Sequence, residues 1–284
     1  RIGLPVGVRA NLALALSRGG YDVVHGFEPG LPSLSYVALR DSRALAVASF
    51  FSPERLSYPP SKAQRGRLLS RIDALLAVSP DTAAAAALRF PGDYRLTPLG
   101  IDTELFHPIE KRDVIVCEWR PGERLLTKAL YSIMKELPGW ELMLLRTKAL
   151  AGRPSVPSRL RGRVRVRTAR SGLARASILN EAPIFVPALT GLRRVRVEAS
   201  AAGAAIAAPP GVHEQPALAA AAVARLAESP ELRGEVAAEA RRGAEGESFA
   251  ELGRQLDVLY RSLAGRRRRA KESDPLADLA WITV

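Results

Sequence analysis

Three features of the chain bear on chemistry. In PIFVPALTGLRRVRVEASAAG (residues 183–203) an apolar run gives way to a turn at Thr190 and Gly191, and a helical stretch follows that carries Glu198. A glycine there lets backbone amides approach a phosphate, because the free N–H groups of a helix N-terminus favour anions. Glu198 lies about two turns further on, where a carboxylate on the same side of the helix can accept both hydroxyls of a ribose. The histidines are His25, His107 and His213. His25 closes a strand and either lines a cleft or sits satisfied at the rim of the core, whereas His107 lies in a turn and reads as structural. Finally, no pair of His, Asp or Glu has metal-ligand spacing and Cys117 is the lone cysteine, so neither a zinc or magnesium site nor an internal disulfide is expected.

These residues need a scaffold, and the hydrophobic pattern specifies one. Short apolar runs alternate with helical stretches. In the first half the strand candidates are 21–26 (YDVVHG), 44–50 (ALAVASF), 74–79 (ALLAVS) and 94–100 (YRLTPLG), with helices near 10–19, 31–40, 61–71 and 80–89. The last of these helices is entered by SPDT, a cap before an alanine run. After GIDTELFHP the pattern restarts with strands at 113–118, 140–146, 164–168, 183–188 and 204–209, and helices near 122–136, 171–180 and 193–202. Residues 216–263 read as helix with breaks near Pro230 and Gly246. Near-continuously apolar strands alternating with helices imply parallel sheets covered on both faces. Two such series predict an α/β chain of two doubly wound, Rossmann-like domains with a cleft between them.

Composition agrees with that class. Residues are 47% hydrophobic but only 6% aromatic, so the core is built from Ala, Val, Leu and Ile packed closely, which favours α/β over a β-sandwich. The formal net charge is +13 and almost all of it is arginine, against six lysines. That excess is either an Ala-plus-Arg compositional bias on a solvated face or a surface for an anionic partner such as a membrane. No aromatic-rich recognition motif accompanies the arginines, so a nucleic-acid partner is not expected. No apolar stretch reaches the roughly 18 residues of a membrane span, and a cytoplasmic location is expected. The start at Arg1 and the end at LAWITV are expected to be cuts in a longer chain, with residues 264–284 a basic linker or tail.

VEASAAGAAIAAPPGVHE resembles the second half of the signature E-G-F-G-L-x-x-x-E-A-x-A-x-G-x-P-V of retaining GT-B glycosyltransferases of the GT4 type (glycosyl transferases group 1). YDVVHGFEPGLPSLSYVALR resembles the D-V-V-H strand and following helix, in the form seen in phosphatidyl-myo-inositol mannosyltransferases. LLAVSPDTAAAAALRF, LTPLGIDTELFHP and the closing helices resemble further segments in the same order. The resemblance spans roughly residues 1–263. It implies an incomplete N-terminal, acceptor-side domain over 1–108, whose opening strand and Gly-Gly loop are missing, and a nucleotide-sugar domain over 109–263.

The resemblance also assigns roles. The second glutamate of the E-x7-E pair, which holds the donor ribose, falls on Glu198; the first, which meets the transferred sugar, falls on Thr190, a departure. Gly191 keeps its place in the loop, while Leu192 and Arg193 replace the residues that follow it. The basic pair that stabilises the leaving diphosphate has its nearest counterparts in Arg120 and Arg124, with Lys128 too far into the helix. His213 falls in a loop that faces the donor base or sugar. Phe51 stands where the family often has a histidine. The donor-binding set is therefore Glu198, Gly191, Thr190, Arg120, Arg124 and His213, with no catalytic residue assigned. No metal and no cofactor is implied beyond the nucleotide-diphosphate sugar. The implied activity is retaining transfer of a hexose, mannose among the candidates, to a lipid or glycan acceptor at the inner face of an anionic membrane. The alternative is an inactive glycosyltransferase-like module serving as a binding or scaffold domain.

Overall fold

The run LAVASF contains one polar residue, and a strand of that composition has to be covered on both faces. In the computed structural model, which describes residues 8–52, 58–147, 152–189, 193–209, 211–212 and 215–273, it forms β2 (Leu45–Phe50), buried along its whole length. β1 (Val23–Phe27) pairs on one side, β3 (Ala74–Ala77) on the other and β4 (Tyr94–Leu96) beyond, all parallel, in the order β1-β2-β3-β4. Alternate side chains of β2 go to opposite faces. Ala46, Ala48 and Phe50 pack with Tyr36 and Leu39 of α2 (Leu34–Asp41), Leu68 of α3 (Lys62–Leu69) and Ala86 of α4 (Pro80–Ala87). Leu45 and Val47 face the other way. Helix α1 (Val8–Arg18) precedes these elements and buries no residue.

Local chemistry sets these elements. Ser79 caps α4 by accepting from the Thr82 N–H at 3.1 Å, and Pro80 occupies the first turn, where a missing N–H costs nothing. Gly26 admits α2 against β1: a Cβ there would lie 2.5 Å from Leu39 Cδ1.

The second unit, Leu99–Glu251, is a five-stranded parallel sheet of β5 (Val114–Glu118), β6 (Glu141–Arg146), β7 (Val164–Thr168), β8 (Ile184–Val186) and β9 (Ala205–Ile206), in the order β7-β6-β5-β8-β9. The chain steps outward from β5 to β7, then returns to β5's other edge for β8. On one face Ile115 and Cys117 pack with Leu126 and Leu130 of α5 (Arg124–Ile133) and with Ala219 and Val223 of α8 (Ala217–Glu228). The remaining helices are α6 (Gly172–Leu179), α7 (Arg193–Ala201) and α9 (Pro230–Glu245). Small residues let α7 pack closely: Ala199, Ser200, Ala201 and Ala202 are all buried. Gly203 ends it at φ 78°, and a Cβ there would meet Pro108 Cγ at 2.9 Å.

The nine strands expected from sequence are all present, several trimmed at their ends. PIFVPA yields three strand residues because prolines flank them. Two boundaries differ from the sequence expectation. The junction falls at Pro98–Leu99 and not at 108, because residues 99–101 tie into the second unit: the Leu99 N–H donates to Glu247 Oε2 at 2.8 Å and Ile101 bridges Ser248. From Leu252 onward the chain returns to the first unit, and helix α10 (Phe249–Ser273) runs well into the segment expected to be a linker. Its apolar stripe accounts for both: Leu256, Leu259, Tyr260 and Leu263 recur at helical spacing and cover the face of the first sheet that Leu45, Val47 and Leu76 present.

Candidate functional site

In doubly wound sheets ligands bind outside the carboxyl ends of the strands where the strand order reverses. In the second unit that point lies between β5 and β8. β5 ends in Glu118, whose side chain is 1% exposed. Its Oε1 accepts from Arg120 Nη2 at 2.9 Å and Nε at 3.2 Å, and from Thr147 Oγ1 at the end of β6 at 3.1 Å. The carboxylate thus pins the guanidinium just past the strand. Gly122 turns the chain at φ 98°, a conformation that favours glycine, and Arg124 opens α5.

A cavity of about 480 Å³ lies on the β6 side of this strand end, between the start of α5 and residues 152–155, lined by Trp119, Arg120, Arg124, Lys128, Tyr131 and Arg153 among others. The structure therefore brings together Arg120 and Arg124, and it adds two cations that the sequence reading missed. Lys128 was set aside as too deep in the helix, yet it follows Arg124 by four residues, which puts both on one face. That spacing was a usable signal. Arg153 had none beyond the turn-forming Gly152 and Pro154 around it. Four cations line the opening together with the buried carboxylate Glu123, and guanidinium groups match the geometry of phosphate oxygens.

Glu198 is placed differently. It sits on α7, wholly buried, and does not line this cavity. Arg175 of α6 grips its carboxylate with both arms, Nε to Oε2 at 2.5 Å and Nη2 to Oε1 at 2.6 Å, while Arg175 Nη1 donates to the Arg170 carbonyl at 2.9 Å. Arg194, one turn before Glu198, stands 3.8 Å away. A ribose reaches this carboxylate only if Arg175 moves aside. Nothing in the sequence singled out Arg175. Thr190, Gly191 and His213 lie outside the described residues.

In the first unit, His25 is held from both sides, Nδ1 against the Tyr260 hydroxyl at 2.6 Å and Nε2 against the Ser49 hydroxyl at 2.7 Å. Burial pushes its pKa down to about 4. Of the two sequence readings, this is the satisfied histidine at the rim of the core. Phe27 stacks on it at 4.4 Å and reaches towards Phe51 at 5.9 Å. Glu28 follows at φ 52° and accepts from the N–H groups of Phe51 and Ser52, tying the carboxyl ends of β1 and β2 together. His107 Nδ1 contacts the Glu104 carbonyl oxygen at 2.6 Å in a turn that Asp102 closes, the structural role expected of it. Among the described residues no helix is long and apolar enough to cross a membrane.

Residues 1–105 match the model of Glycosyltransferase Family 4. No curated protein sequence matches the chain significantly. Among solved structures, the chain is similar to a glycosyltransferase from Rickettsia africae (12% identity, TM-score 0.64, covering 93% of this chain and 83% of that one). It is also similar to Anabaena HepE in complex with UDP (16% identity, TM-score 0.62, 89% and 82%). TarM matches at 12% identity and TM-score 0.61 over 89% of this chain, which spans only 58% of TarM. At these identities the likeness shows the fold: Rossmann-like α/β units as in GT-B glycosyltransferases.

Proposed function

We propose that the chain is the donor- and acceptor-binding part of a retaining glycosyltransferase, moving a hexose, with mannose among the candidates, from a nucleotide-diphosphate sugar to a hydroxyl of a lipid or glycan acceptor. The observation that carries this reading is the cavity beside the carboxyl end of β5, which Arg120, Arg124, Lys128 and Arg153 line. When the bond between the anomeric carbon and the donor phosphate breaks, its electron pair stays on the diphosphate. Fixed cations that meet the growing charge lower the barrier. In this reading the guanidinium groups do that work without a metal or cofactor. The glycine turn at Gly191 supports the diphosphate, His213 faces the base or sugar, and the first unit takes the acceptor at an anionic membrane surface. Isothermal titration with UDP- and GDP-hexoses tests the reading. Micromolar binding that weakens in Arg120→Ala supports it, and no binding to any nucleotide sugar overturns it.

One observation favours a second reading, a module that binds without catalysing. The Glu198 carboxylate is already spent on Arg175, and Thr190 and Phe51 remove groups that the resembling family uses. Nucleotide binding with neither donor hydrolysis nor sugar transfer would select this reading.

A further inference from the structure

We propose that a second cavity, at the amino end of the first unit's sheet, binds a phosphoryl oxyanion, carried either by a lipid headgroup or by a soluble phosphate ester. The cavity measures about 530 Å³ and is lined by Ser42, Arg43, Leu45, Arg71, Asp73 and Arg266 among others. It lies where the chain enters β2 and β3, at the opposite end of the strands from the end that binds ligands in doubly wound folds. It is therefore a site separate from any nucleotide site.

Its three arginines come from three separate elements. Arg43 precedes β2, Arg71 precedes β3, and Arg266 extends from α10 one turn after Leu263, which anchors that helix on the sheet. Arg71 is braced by donating from Nη2 to the Ser42 carbonyl at 2.7 Å, a bond that uses one of the five N–H donors of a guanidinium. The one carboxylate in the lining, Asp73, turns Oδ2 to the Ala46 N–H at 2.7 Å and so serves the strand backbone. The guanidinium groups of Arg71 and Arg266, with Arg43 beside them, give the opening a positive potential, and their planar geometry suits phosphate oxygens.

The test uses the full chain and two probes: inorganic phosphate by titration, and cosedimentation with vesicles of phosphatidylcholine alone or with phosphatidylglycerol added. Wild type is compared with Arg71→Gln, Arg266→Gln and the double variant. Arg266→Gln breaks no hydrogen bond within the fold, so it remains informative if Arg71→Gln destabilises the chain. We expect the double variant to bind about tenfold more weakly. Binding to anionic vesicles without phosphate binding identifies the headgroup, and phosphate binding without vesicle binding identifies a soluble ester; both sustain the proposal. Binding to neither probe, or variants that bind as well as wild type, overturns it. Nucleotide-sugar binding measured on the same samples is independent of this cavity, so its failure would count against the glycosyltransferase reading alone.

Discussion

Two arginine–glutamate pairs in the second unit are built from the same groups and do different things. Glu118 and Arg120, with side-chain exposures of 1% and 10%, meet beside a cavity that Arg120 helps to line. Glu198 and Arg175 meet inside the fold, with side-chain exposures of 1% and 11%, and each engages the other with two hydrogen bonds. A pair beside a cavity positions a charge for a ligand. A sealed pair gains its value from the geometry of its partner and from not being broken, because removing one member strands a charge in a medium that solvates it poorly. Sequence resemblance assigns the ribose to the carboxylate of Glu198, while the cations that line a cavity lie beyond β5.

The largest effect follows from the seal. Glu198→Ala leaves the Arg175 guanidinium buried without its partner and should cost about 3–5 kcal/mol of stability, read by urea denaturation. The double variant Glu198→Leu with Arg175→Met should recover much of that loss, since apolar groups of similar volume replace buried pairs at little cost. The contrast breaks if Glu198→Ala unfolds no more easily than wild type yet loses nucleotide binding. Glu198 would then be a ligand group held ready by a mobile arginine.

At the Glu118–Arg120 pair a binding effect is expected as well. Arg120→Ala should weaken nucleotide-diphosphate binding by about ten- to a hundredfold, the worth of one or two charge-assisted hydrogen bonds, and should also lower the denaturation midpoint, because it strands the buried Glu118 carboxylate. Calorimetry and denaturation on the same preparation decide this. An Arg120→Ala chain that binds nucleotide normally but is badly destabilised would make the Glu118–Arg120 pair structural too.

The contrast also marks what could be read in the sequence. The α/β class and all nine strands follow from apolar runs between helical stretches, because a parallel sheet covered on both faces leaves that pattern without reference to distant residues. The β5–α5 cations were half legible: Arg120 and Arg124 stand close to the strand end, and Lys128 shares a helix face with Arg124. Arg175 was illegible, since its partnership with Glu198 spans 23 residues and two helices, and an arginine in an arginine-rich chain carries no local mark. The reach of α10 was missed for a related reason. Arginine is a good helix former, so the run that suggested a solvated linker also continues a helix whose apolar stripe was already docked.

A sealed polar group in the first unit shows the same principle through pH. The pKa of His25 falls from the ordinary 6.5 to about 4 because burial disfavours the charged ring. Between pH 6.5 and 4 the unfolded chain takes up this proton and the folded chain does not, so stability falls as the pH drops through that window. Denaturation midpoints at pH 7 and pH 5 should differ less in His25→Gln than in wild type. Equal slopes would mean that the Tyr260 and Ser49 hydroxyls accommodate the imidazolium, and that this site is not sealed in the sense that Glu198 is.

The smallest effect supplies the exposed case. Asp257 and Arg261 on α10 form an i, i+4 pair at 2.9 Å with side-chain exposures of 59% and 80%. Water solvates both partners almost as well apart as together, salt screens them, and two long side chains lose rotamer freedom to meet. Asp257→Asn should therefore change stability by no more than about 0.3–0.5 kcal/mol, and less at high salt. Its value is as a ruler: the same two chemical groups at similar distances should cost an order of magnitude more when sealed on α7. If the exposed pair proved as costly as the sealed one, burial would not be what makes a broken arginine–carboxylate pair costly, and the assignment of Glu198 to the fold would lose its physical basis.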